Sequence, residues 1–203
     1  MRLSVVVNTC ALGPRAHAVT GSTTPSPHAW RAYALQHFIL PAYAAHADEV
    51  IVVGEWREGE GYIYVSAPSV YFSAVDALHQ RQAGFEMASG DVIIHVHDDH
   101  FLDPSALSEI LPTAAWRADV LVPTRYRQEL HAAKQHPTGM EDTPPYVGGH
   151  CAIYKREVLE RCPWNEVPKA HVWDTLHTKM MRDAGFRLKE APEMCVWDVE
   201  VAT

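Results

Sequence analysis

The chain has 203 residues, of which 47% are hydrophobic and 21% charged, as is usual for one globular domain with a sizeable core. A net charge of −8 argues against a general binder of nucleic acid or of anionic membranes, since both need a positive surface. The four cysteines form no CxxC pair, so free thiols in a reducing compartment fit best. With neither a signal-peptide pattern nor an apolar run of membrane-spanning length, the expected location is the cytoplasm.

Apolar strands alternate with helical patterns through the first 123 residues. The expected strands are 3–7, 49–53, 62–65 and 92–96, and the expected helices are 28–45 and 71–88. Pro41 should bend or split the first helix, and residues 11–28 should form a long loop. The alternation predicts an α/β fold with a mostly parallel sheet and helices on both faces.

The second half of the sequence shows a less regular pattern. Asp103 and Pro104 are start signals for a short helix over 105–111. The other expected elements are strands at 119–122, 150–154 and 186–189 and helices at 156–161 and 170–184, the last ended by Gly185. The polar residues 124–147 are predicted to be a long irregular segment, and the end of the chain is mixed.

Four polar side chains directly follow the apolar strand at 92–96, namely His97, Asp98, Asp99 and His100. In open α/β sheets, ligands bind outside the carboxyl ends of the strands. Carboxylates prefer hard cations such as Mg²⁺ or Mn²⁺, and imidazoles shift that preference toward Mn²⁺ or Zn²⁺. The cluster therefore indicates a metal site able to neutralise a diphosphate.

Other candidate residues are weaker when each is taken alone. Arg81 precedes the strand and could pair with the polar cluster or a phosphate, although a surface salt bridge is about equally expected. Asp174 and His177 share a helix face, where Asp174 could be a general base or merely a residue favoured by the helix dipole. Thr9 and Glu55 end the first two strands, in position to hold a base or ribose.

Taken together, these stretches resemble the GT-A nucleotide-sugar glycosyltransferases, especially the family 2 type, over most of the chain. The similar stretches are the strands at 2–10 and 49–55, the motifs Arg-Gln-Ala-Gly at 81–84 and Ala-Ser-Gly-Asp at 88–91, and the glycine-rich strand start at 148–159. The family's metal-binding DxD motif falls on residues 97–99, so His97 replaces its first Asp; residues 98–100 give an Asp-x-His alternative. Asp174 matches the catalytic base, with Trp173 in place of the usual Glu.

The resemblance implies one glycosyltransferase domain over 1–203, with a nucleotide-sugar-binding half at 1–104 and an acceptor half at 105–203. Such an enzyme, of the hexosyltransferase type, moves a sugar from a nucleotide-sugar, here expected to be a UDP-sugar, to an acceptor hydroxyl of a glycan, lipid or small molecule. Asp174 as base implies inversion at the anomeric carbon.

The resemblance also assigns ligands. Asp99, with His97 or His100, is expected to hold Mn²⁺ or Mg²⁺, and Asp98 to bind ribose or metal. Thr9, Glu55 and Arg81 are expected to hold the nucleotide end of the donor.

Two alternatives remain open at this point. Residues 95–100 also fit the HxHxDH signature of metallo-β-lactamase-fold zinc hydrolases, through His95, His97, Asp99 and His100. The alternating strand-helix start and the missing upstream Asp-x-Gly turn argue against that fold. A catalytically inactive GT-A binding module is the second alternative, because two motif positions carry His97 and Trp173.

Overall fold

The computed structural model describes residues 1–9, 33–54, 61–67, 74–98, 100–109, 111–114, 118–129, 132–136, 147, 151–168 and 173–198. Within these ranges, nine strands form one sheet. They are β1 (Leu3–Asn8), β2 (Glu49–Gly54), β3 (Ile63–Ser66), β4 (Val92–His97), β5 (His100–Leu102), β6 (Val120–Glu129), β7 (Ala132–His136), β8 (Cys151–Lys155) and β9 (Leu188–Asp198).

Six α-helices lie in the described ranges: α1 (Leu40–Ala44), α2 (Ala74–Met87), α3 (Ser105–Glu109), α4 (Leu111–Ala114), α5 (Arg156–Arg161) and α6 (Trp173–Asp183). A π-helical turn, Leu35–Ile39, precedes α1, and Pro41 lies in the first turn of α1, where a missing N–H is tolerated. The helical run is therefore continuous over its described residues 33–44 and changes type before Pro41, so the structure shows no split at this residue. Gly185 ends α6 with a positive φ, and the N–H of Phe186 donates to Met181 O, as in a Schellman cap.

The strands follow the spatial order β3-β2-β1-β4-β8-β6-β9-β5, with β7 paired to β6. The first four strands are all parallel, whereas β8 lies antiparallel to β4 and the rest of the sheet is mixed. The predicted α/β class is confirmed, and the parallel pairing is concentrated in the first half. Parallel strands need a long crossover connection, usually with a helix, and the connections that contain α1 and α2 provide it in this half.

Helices cover both faces of the sheet, as predicted. On one face, Val5, Val7 and Ile94 pack in a core with α1 and α3; on the other, Val6 and Ile93 pack with α2, α5 and α6. Alternate residues of each strand point to opposite faces, so nearly every residue of β1, β2 and β4 is buried. That double burial explains why these strands are continuous apolar runs.

The second half corrects two predictions. Residues 124–147 are not irregular throughout, because β6 continues to Glu129 and pairs antiparallel with β7. The final strand does not stop at 189: β9 runs to Asp198 between β6 and β5, with a register irregularity after Pro123. The helix expected over 105–111 is helical at each of its described residues, in α3 and at the start of α4. The loop expected at 11–28 lies outside the described residues.

None of the helices in the described part of the chain combines the length and apolar composition needed to span a bilayer.

Candidate active site

The strand order reverses between β1 and β4. From β1 the chain proceeds outward to β2 and β3, then returns to place β4 on the other side of β1. Asn8, the last residue of β1, is in register with His97, and the N–H of Asp98 donates to Asn8 O at 3.1 Å. In open α/β sheets the ligand crevice lies outside the carboxyl ends of the strands at such a reversal. The fold thus places the predicted polar cluster where a ligand would bind.

Within this cluster, His97 ends β4, buried Asp98 follows, and His100 begins β5. The rings of His97 and His100 have centroids 6.1 Å apart and are nearly perpendicular. Asp99 lies outside the described residues. Among those described, no three His, Cys, Asp or Glu side chains are grouped so that they could hold a metal ion. One carboxylate and two imidazoles are suitable donor types for Mn²⁺, but a complete set needs a further ligand such as Asp99.

Asn8 is a candidate site residue that the sequence analysis did not single out. It is only 2% exposed, and neither atom of its side-chain amide meets a hydrogen-bond partner among the described residues. Buried amides without partners are uncommon, and one beside Asp98 offers a carbonyl oxygen of the kind that hard cations accept. The available signal was a polar residue at the end of an apolar strand.

The nucleotide end of the predicted site is closed by hydrogen bonds between strand ends. Thr9 is fully buried; its N–H and its hydroxyl both donate to Val53 O, at 2.8 and 3.0 Å. The Thr9 hydroxyl proton is therefore engaged within the protein, and its role toward a nucleotide stays a prediction. Glu55, the partner expected beside it, lies outside the described residues.

The close packing of α2 against the sheet brings Gln80 and Arg81 to these strand ends. A Cβ atom on Gly84 would lie 2.3 Å from Val6 Cγ1, so only glycine permits this approach. Gln80 and Arg81 precede Gly84 by one helical turn and therefore share its face. Both are buried, so of the two alternatives left open for Arg81 the surface salt bridge does not hold, and its role toward a phosphate stays a prediction.

Arg81 lies in a cluster of buried rings on the α6 side of the sheet. Its guanidinium carbon is 5.0 Å from the ring centroid of Trp164 and 5.2 Å from that of Trp173. At these distances the cation is attracted by both π-systems. We call the rings of His95, Tyr154, Trp164, Trp173 and His177 the aromatic cluster. Trp173 immediately precedes Asp174 in the sequence, so its contact with Arg81 places this arginine near the start of α6.

Asp174 is the second residue of α6 and is half-buried, and its Oδ1 accepts a hydrogen bond from the N–H of Thr175 at 2.8 Å. The buried hydroxyl of Thr178 donates to Asp174 O and accepts from the N–H of Val147. This pair of hydrogen bonds ties the start of α6 to Val147, which directly precedes the predicted glycine-rich segment in the sequence. Gly148, Gly149 and His150 themselves lie outside the described residues.

Two histidines of the aromatic cluster are held neutral. Burial lowers the pKa of His177 to about 4, partly opposed by the hydrogen bond that its Nε2–H donates to Cys162 O. Burial, reinforced by the positive charge of Arg81, places the pKa of His95 well below its ordinary value. His95 faces Tyr154 and Trp164 inside the core, which is not the position that a hydrolase zinc ligand requires. Together with the architecture of the sheet, this shows that the metallo-β-lactamase-fold alternative is wrong.

Residues 78–162 match the sequence model of Glycosyl transferase family 2. The match covers most of α2, the polar cluster and β8, and therefore part of the motifs on which the resemblance rests; the first two strands and Asp174 lie outside it. No curated protein matches the sequence.

Three solved structures share the fold at low sequence identity. S. aureus TarS 1–349 in complex with UDP has a TM-score of 0.60 and 13% identity, covering 97% of this chain and 60% of that chain. The same protein in complex with UDP-GlcNAc has a TM-score of 0.56 and 15% identity, covering 100% of this chain and 60% of that chain. The mannosyltransferase PcManGT from Pyrobaculum calidifontis, in complex with GDP-Man and Mn²⁺, has a TM-score of 0.58 and 14% identity, covering 98% of this chain and 56% of that chain. The present chain spans less than two thirds of each of these proteins. It therefore has the GT-A fold of nucleotide-sugar glycosyltransferases, and its residues 78–162 carry the pattern of family 2.

Proposed function

We propose that the protein is a metal-dependent glycosyltransferase that moves a sugar from a nucleotide-sugar, a UDP-sugar in the first instance, to an acceptor hydroxyl. The observation that carries the proposal is the backbone hydrogen bond from the N–H of Asp98 to Asn8 O. It fixes the polar cluster at the reversal of the strand order. Complexes of similar folds with UDP, UDP-GlcNAc and GDP-Man support a nucleotide-sugar as ligand.

In this proposal, Asp98 and Asp99 hold Mn²⁺ or Mg²⁺ together with His97 or His100. When bound, the ion supplies positive charge that stabilises the departing diphosphate. Burial of Asp98 and of the neighbouring Asn8 amide strengthens electrostatic interactions at this place, because little water screens them.

The nucleotide end is assigned to Thr9, Glu55 and Arg81. Thr9 shapes this end from a fully buried position, as its hydroxyl is bonded to Val53 O. Arg81 contributes positive charge from beneath the crevice, where it is 1% exposed and packed on the two tryptophans.

Asp174 is the proposed base. Its carboxylate accepts the proton of the acceptor hydroxyl while that oxygen bonds to the anomeric carbon, and the bond from this carbon to the diphosphate oxygen breaks. Attack from the face opposite the diphosphate inverts the anomeric configuration. The hydrogen bond from Thr175 and the anchoring of Asp174 O by Thr178 hold the carboxylate in a fixed orientation.

Calorimetric titration of UDP into the metal-stripped protein, with and without Mn²⁺, tests the proposal, with GDP titrated in parallel and zinc content measured on the purified protein. Mn²⁺-dependent nucleotide binding with little intrinsic zinc is the expected result. Asp98→Ala should remove the metal-dependent part of binding. Absence of binding of both nucleotides in the presence of Mn²⁺ contradicts the proposal.

The inactive-module alternative is separated by a second step. UDP-sugars are incubated with Mn²⁺ and a panel of glycan, lipid and small-molecule acceptors, and released UDP is measured. Transfer supports the enzyme, whereas nucleotide binding without transfer to any acceptor favours the binding module.

A further inference from the structure

Gln80 occupies an unusual place on α2. Its side chain is 2% exposed, and its amide nitrogen donates to two main-chain carbonyls, Thr9 O at 3.3 Å and Ala67 O at 3.1 Å. Thr9 directly follows β1, and Ala67 directly follows β3. One side chain therefore joins the carboxyl ends of two strands that lie on either side of β2.

The end of β2 is fixed by the same group of residues. Val53 O accepts both the N–H and the hydroxyl of Thr9, and Gly54 O accepts the N–H of Ala67 at 3.4 Å. Gly54 has φ near +143°, and a Cβ there would lie 2.0 Å from Thr9 Oγ1. The junction thus tolerates neither another backbone conformation nor an added atom at this position.

We propose that Gln80 is a positioning residue for donor binding, holding the ends of β1, β2 and β3 at the spacing that receives the nucleotide. This inference rests on the proposed function. Thr9 presents no accessible surface, so it acts through the position of its backbone, and Gln80 fixes that position. An apolar side chain in the place of Gln80 leaves two buried carbonyls without this donor.

Gln82 offers a matched control on the same helix. Its amide nitrogen donates to Glu86, and its oxygen accepts the N–H of Trp164 at 3.0 Å, on the side of α2 away from the strand ends. Gln80→Met and Gln82→Met each remove the amide hydrogen bonds of one glutamine. Gln80→Met removes hydrogen bonds at the ends of β1 and β3, whereas Gln82→Met removes those to Trp164 and Glu86.

The test is calorimetric titration of UDP, in the presence of Mn²⁺, into the wild-type protein and both variants, with Tm measured for each. Gln80→Met should weaken UDP binding by about tenfold, while Gln82→Met stays within about twofold, although both lower Tm. In turnover assays, Gln80→Met should raise the donor KM with kcat at saturating donor within about twofold of wild type. A role in stability alone lowers Tm without this selective change.

Thr9→Val provides a second variant should Gln80→Met not fold. It removes only the hydroxyl donation to Val53 O and should weaken UDP binding about threefold. Equal effects of the two glutamine variants on UDP affinity, or no effect of Gln80→Met and Thr9→Val, overturn the positioning role while leaving the proposed function intact. A wild-type protein that binds neither UDP nor GDP overturns both.

Discussion

Hydrogen bonds join the ends of β1, β2 and β3, whereas ring contacts fill the space between the sheet and α6. At the first place, Gln80 and Thr9 donate to backbone carbonyls on three strand ends. In the aromatic cluster, the hydroxyl of Tyr154, the indole nitrogen of Trp164 and both ring nitrogens of His95 find no hydrogen-bond partner in the described part of the chain. Hydrogen bonds fix direction and distance, but ring contacts tolerate small displacements. The three strand ends that are proposed to receive the nucleotide are thus held at fixed distances, whereas the aromatic cluster is held together by packing.

Asp174→Asn should give the largest effect and tests whether the two regions divide binding from chemistry. Since Asn retains an oxygen for the N–H of Thr175, the fold is preserved, but the base is lost. The expected loss in kcat is about 10²- to 10⁴-fold, with UDP affinity within about twofold. Asp183→Asn, which removes an exposed carboxylate at the other end of α6, is the control and should retain activity. Wild-type turnover by Asp174→Asn would exclude this residue as the base.

Trp164→Ala tests how far the aromatic cluster depends on packing. Trp164 is buried and contacts four other rings, so this truncation should lower the free energy of unfolding by about 3–5 kcal/mol. Trp164→Phe keeps a ring and loses only an indole N–H that has no partner among the residues the structure describes, so its cost should be below about 1.5 kcal/mol. Urea unfolding measures both. Equal losses would show that the indole nitrogen carries an interaction.

His177 makes the aromatic cluster sensitive to acid. Because its folded-state pKa of about 4 lies below the unfolded value, the unfolded chain takes up the proton first. The stability contributed by neutral His177 is complete above about pH 6.5 and is lost as the pH falls toward 4, at about 1.4 kcal/mol per unit. Urea unfolding between pH 7 and 5 should show a slope that His177→Gln reduces and Tyr154→Phe does not. The slope left in His177→Gln reflects His95, whose pKa is also lowered.

Thr178→Val has the smallest expected effect. It removes the donation to Asp174 O and leaves the buried N–H of Val147 without its acceptor. The expected cost is about 1–2 kcal/mol in the free energy of unfolding, and Thr178→Ser should recover most of it. An unchanged stability of Thr178→Val would mean that the N–H of Val147 finds another acceptor and that Thr178 is not needed to hold Val147 against α6.

The parallel half of the fold was predicted well, because strands that are buried on both faces consist of continuous apolar runs. This holds for β1, β2 and β4, and the polar cluster after β4 followed from the end of that run. The sequence indicated the start of β6 but not its outer part or β7, which are polar and therefore resemble a loop.

Parts of the candidate site that are close in sequence could be predicted, whereas those that the fold brings together could not. His97, Asp98 and His100 were singled out because they follow one strand almost contiguously, and the structure keeps them together. Gln80 and Asn8 were not singled out because their surroundings come from distant strands, and the one sign for Asn8 was a polar residue at the end of an apolar run. The roles of all these residues remain predictions, and Asp99 and Glu55 also lie outside the described residues.

The central pairing of β1 with β4 has a consequence for folding. Leu3 is in register with Val92, and Asn8 with His97, so the two strands that frame the proposed crevice are separated by nearly half the chain. Closing so long a loop costs entropy before any contact rewards it, and pairings of this kind slow folding. The crevice can therefore assemble only after β4 has been synthesised. Until then β1 has one unpaired edge, which makes this interval a time when the nascent chain is prone to aggregate.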